Sequence, residues 1–137
     1  MKIWKGYGSE HSANLVMIGH FREARNAEEV RKLFEQLVDQ ASSDADEIQN
    51  NTIPQKRFPE GMLELLHKAK LYSLTPGELE QLLYDVHVDV DGNKVVITTD
   101  EIDVSVFLKV LIEKGARVEV YSAHDYPDTE YGRGKSS

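Results

Sequence analysis

Hydrophobic positions change their period along this chain, and the changes lay out an order of elements. Asn14-Leu15-Val16-Met17-Ile18-Gly19-His20-Phe21 is apolar on both alternating faces, as expected of a strand covered from both sides. Asn26-Ala27-Glu28-Glu29 then has the form of a capping box, and Val30, Leu33, Phe34, Leu37, Val38 and Ala41 keep the spacing of one helical face. That stripe runs on through Ala45 and Ile48, so the predicted helix either stops near Asp39 or continues to about Gln49. Asn50-Asn51, Pro54 and Pro59 predict an exposed loop. Two short helices follow: one carries Met62, Leu65, Leu66 and Ala69, and the other opens on Thr75-Pro76-Gly77-Glu78 and carries Leu79, Leu82 and Leu83.

Strict alternation over Asp85-Val86-His87-Val88-Asp89-Val90, a turn at Asp91-Gly92-Asn93 and a return through Lys94-Val95-Val96-Ile97-Thr98 predict a hairpin. Thr99 or Asp100 is placed to cap the next helix. Its residues Val104, Phe107, Leu108, Val110, Leu111 and Ile112 are apolar almost all round, which predicts deep packing, and Gly115 ends it. Arg117 to Ser122 alternates again as a half-exposed strand.

The order β-α-β-β-α-β joins parallel strands by right-handed crossovers around a hairpin. The predicted class is therefore α+β, with a ferredoxin-like antiparallel sheet in strand order 4-1-3-2. This is a resemblance to a fold alone, and that fold hosts unrelated functions. Lys2 to Tyr7 predicts a short extra N-terminal strand, residues 42–84 a helical insertion, residues 1–126 a single domain, and residues 127–137 a flexible tail. The second face of the sheet needs a cover. The leucine stripes of residues 59–84 offer one, and a second copy of the chain, making a homodimer, offers the other.

Charge narrows the function classes. The 137 residues hold 24 acids against 16 bases, a formal charge of −8. The excess is local: Glu78, Glu80, Asp85, Asp89, Asp91, Asp100, Glu101 and Asp103 face only Lys94. Such a flank repels phosphate backbones, which argues against a nucleic-acid partner and for a basic protein, or for solubility alone. The chain has no cysteine, so disulfides and thiolate chemistry are excluded. The interrupted N-terminus does not read as a signal peptide, and no apolar run reaches the length of a membrane span, so a cytoplasmic location is expected.

Candidate chemistry concentrates near the chain ends. Ser9-Glu10-His11-Ser12 precedes the first strand, and His124-Asp125-Tyr126 follows the last. With strands one and four adjacent, Glu10 and His11 would meet His124 and Asp125, a set able to ligate zinc or a similar ion or to move protons near neutral pH. An ordinary polar loop uses the same residue types to cap backbone groups. Trp4, Tyr7, Ser12 and Tyr126, with Tyr121, form a candidate ligand-binding edge, although aromatics also fill cores. His20 reads as a core histidine, and His67 and His87 carry no assigned role. The segment Asp89 to Asn93 fails as a calcium loop, because aligning Gly92 with the invariant glycine puts Thr98 where a bidentate glutamate is needed. Gly6-Tyr7-Gly8-Ser9 lacks a phosphate-binding spacing.

The leading expectation is a small binding or interaction module that holds a protein or small ligand by the acidic flank or the aromatic-histidine edge, as an immunity-type or antitoxin-like role would suit. The alternative is a small enzyme or metal-dependent protein acting through Glu10, His11, His124 and Asp125. No pattern names a cofactor.

Overall fold

The structure, a computed structural model, describes residues 14–50 and 57–122. Strand β1 (Leu15–His20) leaves the sheet at Phe21, whose N–H donates to the Asn93 carbonyl at 2.9 Å and whose carbonyl accepts from Asn93 Nδ2 at 2.7 Å. The chain turns at once into α1 (Ala24–Ser43). The helix starts a turn before Asn26, with Glu23 at the N-cap position and no capping side chain, so the expected Asn26–Glu29 box does not form. The physical reason is the anchored strand end: Phe21 is buried against the core, leaving little chain to spend before Ala27 and Val30 must reach it.

Helix α1 stops at Asp44, whose N–H bonds back to the Gln40 and Ala41 carbonyls, and the apolar stripe resumes in a separate short helix, α2 (Ala45–Asn50). Then come α3 (Glu60–Ala69) and a 3₁₀ helix (Pro76–Leu83). At the start of the 3₁₀ helix Thr75 N–H donates to Glu78 Oε1 at 2.9 Å, the reach-back arm expected of Thr75-Pro76-Gly77-Glu78. Strands β2 (Val86–Asp91) and β3 (Lys94–Thr99) form the expected hairpin. Its tight connection pairs Asp91 with Lys94 and places Gly92 at φ +64°, a backbone that costs a side-chain-bearing residue strain.

Helix α4 (Ser105–Glu113) begins at neither Thr99 nor Asp100. Thr99 Oγ1 instead accepts the Glu101 N–H at 3.1 Å, closing a local turn. The first turn of α4 is held from outside by Gln81 Oε1, which accepts the Val106 N–H at 2.8 Å. At the other end Gly115 (φ +96°) donates to the Ile112 carbonyl and Ala116 to that of Leu111, the paired bonds of a Schellman motif. Ile112 is 60% exposed, so α4 is not packed all round: the sheet covers one side and the 3₁₀ helix part of another, and nothing described reaches its outer face.

Strand β4 (Arg117–Ser122) completes a four-stranded sheet of order β2-β3-β1-β4 in which every neighbouring pair is antiparallel. β1 and β4 are neighbours, with Met17 opposite Val120 and Leu15 opposite Ser122, so the chain enters β1 and leaves β4 at the same end of the sheet.

One face of the sheet presents Met17, Val95 and Ile97 to the helices. There Phe34 of α1 and Phe107 of α4 meet with ring centres 5.8 Å apart. Gly19 permits the approach of α4, because a Cβ there would lie 2.8 Å from Leu111 Cδ2. The inserted helices join this same core through Met62, Leu66, Leu79 and Leu82. They therefore do not fold over the second face, as one expectation had it; α1 and α4 leave an apolar flank beside the sheet, and the leucines bury there. The second face carries its own small cluster of Val16, Ile18 and Val96 with Tyr121 beside it.

Candidate functional site

The acidic flank divides once it is placed in space. Glu78 turns inward, its side chain 15% exposed, and accepts from Lys109 Nζ at 2.9 Å, from Thr75 Oγ1 at 3.1 Å and from the Ser105 hydroxyl. Partial burial by itself would raise the Glu78 carboxyl; the hydrogen bonds from Ser105, Lys109 and Thr75 outweigh it and hold the group below its ordinary range. Glu78 is thus a strut between the 3₁₀ helix and α4, not part of a recognition surface.

Glu113 performs a similar service, accepting the Tyr72 and Ser73 N–H groups at 2.8 and 3.3 Å and the Ser73 hydroxyl at 2.7 Å. Desolvation pushes its carboxyl up, but these donors, with Lys114, leave it lowered. Neither strut was visible in the sequence. A glutamate three residues after Thr75 signals the local cap, but its long-range partners Ser105 and Lys109 have no periodic signature.

The remaining acids stay outside. Glu80, Asp85, Asp89, Asp91, Glu101 and Asp103 are exposed, and among the described residues none of them pairs with a lysine or arginine. Tyr84 stands among three of them: burial first, then the negative charges of Asp103, Glu101 and Glu80, pushes its phenol above the ordinary value of 10.0. Asp89 contacts His87 Nε2 at 3.0 Å on the same strand.

Beside these acids lies a concavity of about 410 Å³ between α1 and the edge strand β2. Phe34, Val38, Val86 and Val88 give it an apolar floor, and Glu35, Asp39 and Arg31 rim it. Val38, expected in the core stripe of α1, is 37% exposed here, because the sheet ends at β2 before it can cover the last position of that stripe. Arg31 is committed to Glu28 at 3.0 Å and to Glu35, and among the described residues no lysine or arginine pairs with Asp39 on the rim.

Glu10, His11, His124 and Asp125, and the candidate ligand-binding residues Trp4, Tyr7, Ser12 and Tyr126, lie outside the described residues, as does the segment expected to form an extra strand at Lys2 to Tyr7. His20 lies on the second sheet face with its Nε2 3.4 Å from Glu119 Oε1 and makes no hydrogen bond there. Among the described residues no group of three or more histidine, aspartate or glutamate side chains is placed to hold a metal ion, and no helix is long and apolar enough to cross a membrane.

The fold defines an α+β protein built on a four-stranded antiparallel sheet with helices packed on one face. Residues 1–133 match a family of unknown function (DUF6375), and the chain belongs to that family. No curated protein and no solved structure matches it significantly.

Proposed function

We propose that this protein is a binding module that engages a basic protein partner through its acidic edge, without intrinsic catalysis, on a ferredoxin-like fold. The fold reading is supported by the strand order, which runs 4-1-3-2 when read from the β4 edge, and by antiparallel pairing throughout. The functional reading rests on one observation: among the described residues Glu80, Asp85, Asp89, Asp91, Glu101 and Asp103 are exposed with no lysine or arginine paired to them, and β2, which carries Asp89 and Asp91 on one face, lines a concavity with an apolar floor on the other. Uncompensated charge raises the encounter rate of an oppositely charged partner, and an apolar floor gives such an encounter area to bury.

The experiment is the association rate with a basic partner measured across ionic strength. The rate should fall as salt rises, because screening shortens the reach of the acids. A rate and affinity indifferent to salt would remove this reading.

A second reading keeps the alternative chemistry. Glu10, His11, His124 and Asp125 would act together as a catalytic or metal-binding group, and the pairing of Leu15 with Ser122 supports it by starting both flanking segments from one end of the sheet. Zinc titration of the protein by calorimetry, repeated on His11→Ala and His124→Ala, tests the metal-binding form; no heat with the wild type, or heat unchanged from wild type in the variants, would end that form.

A further inference from the structure

The hairpin fixes which way the backbone of β2 faces. A two-residue connection makes the flanking pair, Asp91 and Lys94, a hydrogen-bonded pair, and alternation along the antiparallel ladder then makes His87 and Asp89 the other residues bonded to β3. The N–H and C=O groups of Val86, Val88 and Val90 therefore point outward. Among the described residues β2 pairs with β3 alone, and none of them covers this outer edge.

The same parity sorts the side chains. Val86 and Val88 line the concavity against Phe34 and Val38, while Asp89 and Asp91 lie on the opposite face of the strand. A strand added along β2 would place its residues opposite Val86 and Val88 over the apolar floor, and those opposite Asp89 and Asp91 among acids.

We propose that β2 accepts an extended peptide segment in which apolar residues alternate with lysine or arginine, adding it as a fifth strand to the sheet. This deepens the proposed function and rests on it. Charge complementarity selects the occupant: among the described residues no lysine or arginine bridges Asp85, Asp89 or Asp91, so cationic residues placed opposite these three positions meet carboxylates, with His87 the one intervening position on that face. A second copy of this chain does not suit the edge, because pairing β2 with β2 about Val88 sets Asp85 of each copy against Asp91 of the other and offers Asp89 only the His87 imidazole. The edge thus rejects itself and admits a basic strand.

The probe is a capped peptide of alternating lysine and valine, titrated into the isotopically labelled protein at low salt and followed by amide chemical shifts. Shifts should concentrate at Val86 to Val90 and along α1 near Phe34 and Val38. Val88→Pro removes an outward N–H that the β3 ladder does not use, and it should weaken binding at least about tenfold. Charge reversal by Asp89→Lys with Asp91→Lys should do the same. Should Val88→Pro fail to fold, a peptide N-methylated on the groups that face β2 makes the same test on unaltered protein, with the same expected loss.

Equal, salt-dependent binding of the parent and N-methylated peptides would overturn strand addition while leaving the acidic edge as a binding surface. No binding of any lysine-rich peptide at any salt would overturn both. Shifts mapping away from β2, or a β2-paired dimer seen by light scattering, would also overturn the proposal.

Discussion

Replacing Glu78 should separate its role as a strut from any role in recognition. Its carboxylate accepts from Thr75 N–H and hydroxyl, Ser105 Oγ and Lys109 Nζ, and so joins the start of the 3₁₀ helix to the first turns of α4. A lost cap costs about 1 kcal/mol, and losing hydrogen bonds to a charged, largely buried acceptor costs about 1.5–3 kcal/mol. Ser105 recovers part of this through Gln81, whose Oε1 lies 3.4 Å from its hydroxyl and can accept the freed proton. Glu78→Ala should therefore lose about 3 kcal/mol, and Glu78→Gln, which keeps the shape, about 1.5 kcal/mol.

With an unfolding entropy near 2.1 cal/mol/K per residue, a chain of this size loses roughly 10 °C in Tm for the alanine variant. Calorimetry at neutral pH reads that shift directly. The pH dependence supplies the second arm. The folded carboxyl lies below its ordinary value of 4.5, so its contribution is fully present above that pH and disappears as pH falls through the lower folded value. Wild type and Glu78→Gln should converge in stability under acid. A Tm loss under about 2 °C at neutral pH, or a gap that persists unchanged at strongly acidic pH, would refute the strut.

Three further outcomes follow from the packing. Gly19→Ala drives a methyl toward Leu111 and should cost about 1–3 kcal/mol by chemical denaturation, whereas Leu111→Val in the same background should recover part of the loss. Gly115→Ala forces a side chain into φ +96° at the end of α4 and should lower stability by about 1 kcal/mol, again read by denaturation. The raised Tyr84 phenol means that the folded state holds its proton more tightly than the unfolded chain. Its contribution is present below pH 10.0 and is lost as pH rises through the higher folded value, so Tyr84→Phe should flatten the alkaline limb of a Tm-against-pH curve.

What the chain's own pattern determined is local. Alternation and the Gly92 turn specify the β2–β3 hairpin; the stripe from Val30 to Ala41 specifies the buried face of α1, and Gly115 specifies where α4 stops. These features were legible because each depends on residues a few positions apart, whose periodicity or backbone freedom is set by their own chemistry. The acidic flank was legible as a charge excess, but not as a surface.

Tertiary structure decided the rest. It drew Glu78 out of the flank into a bridge to Lys109, left Val38 and Ile112 in solvent, sent the inserted leucines to the helical core in place of the second sheet face, and began α1 a turn before Asn26. In each case the outcome depends on which element lies alongside, a matter of packing between residues distant in the chain. The same holds for the outer edge of β2, which among the described residues has no neighbouring strand: its alternation is legible in the sequence, but whether a neighbour takes its backbone groups is set by sheet order.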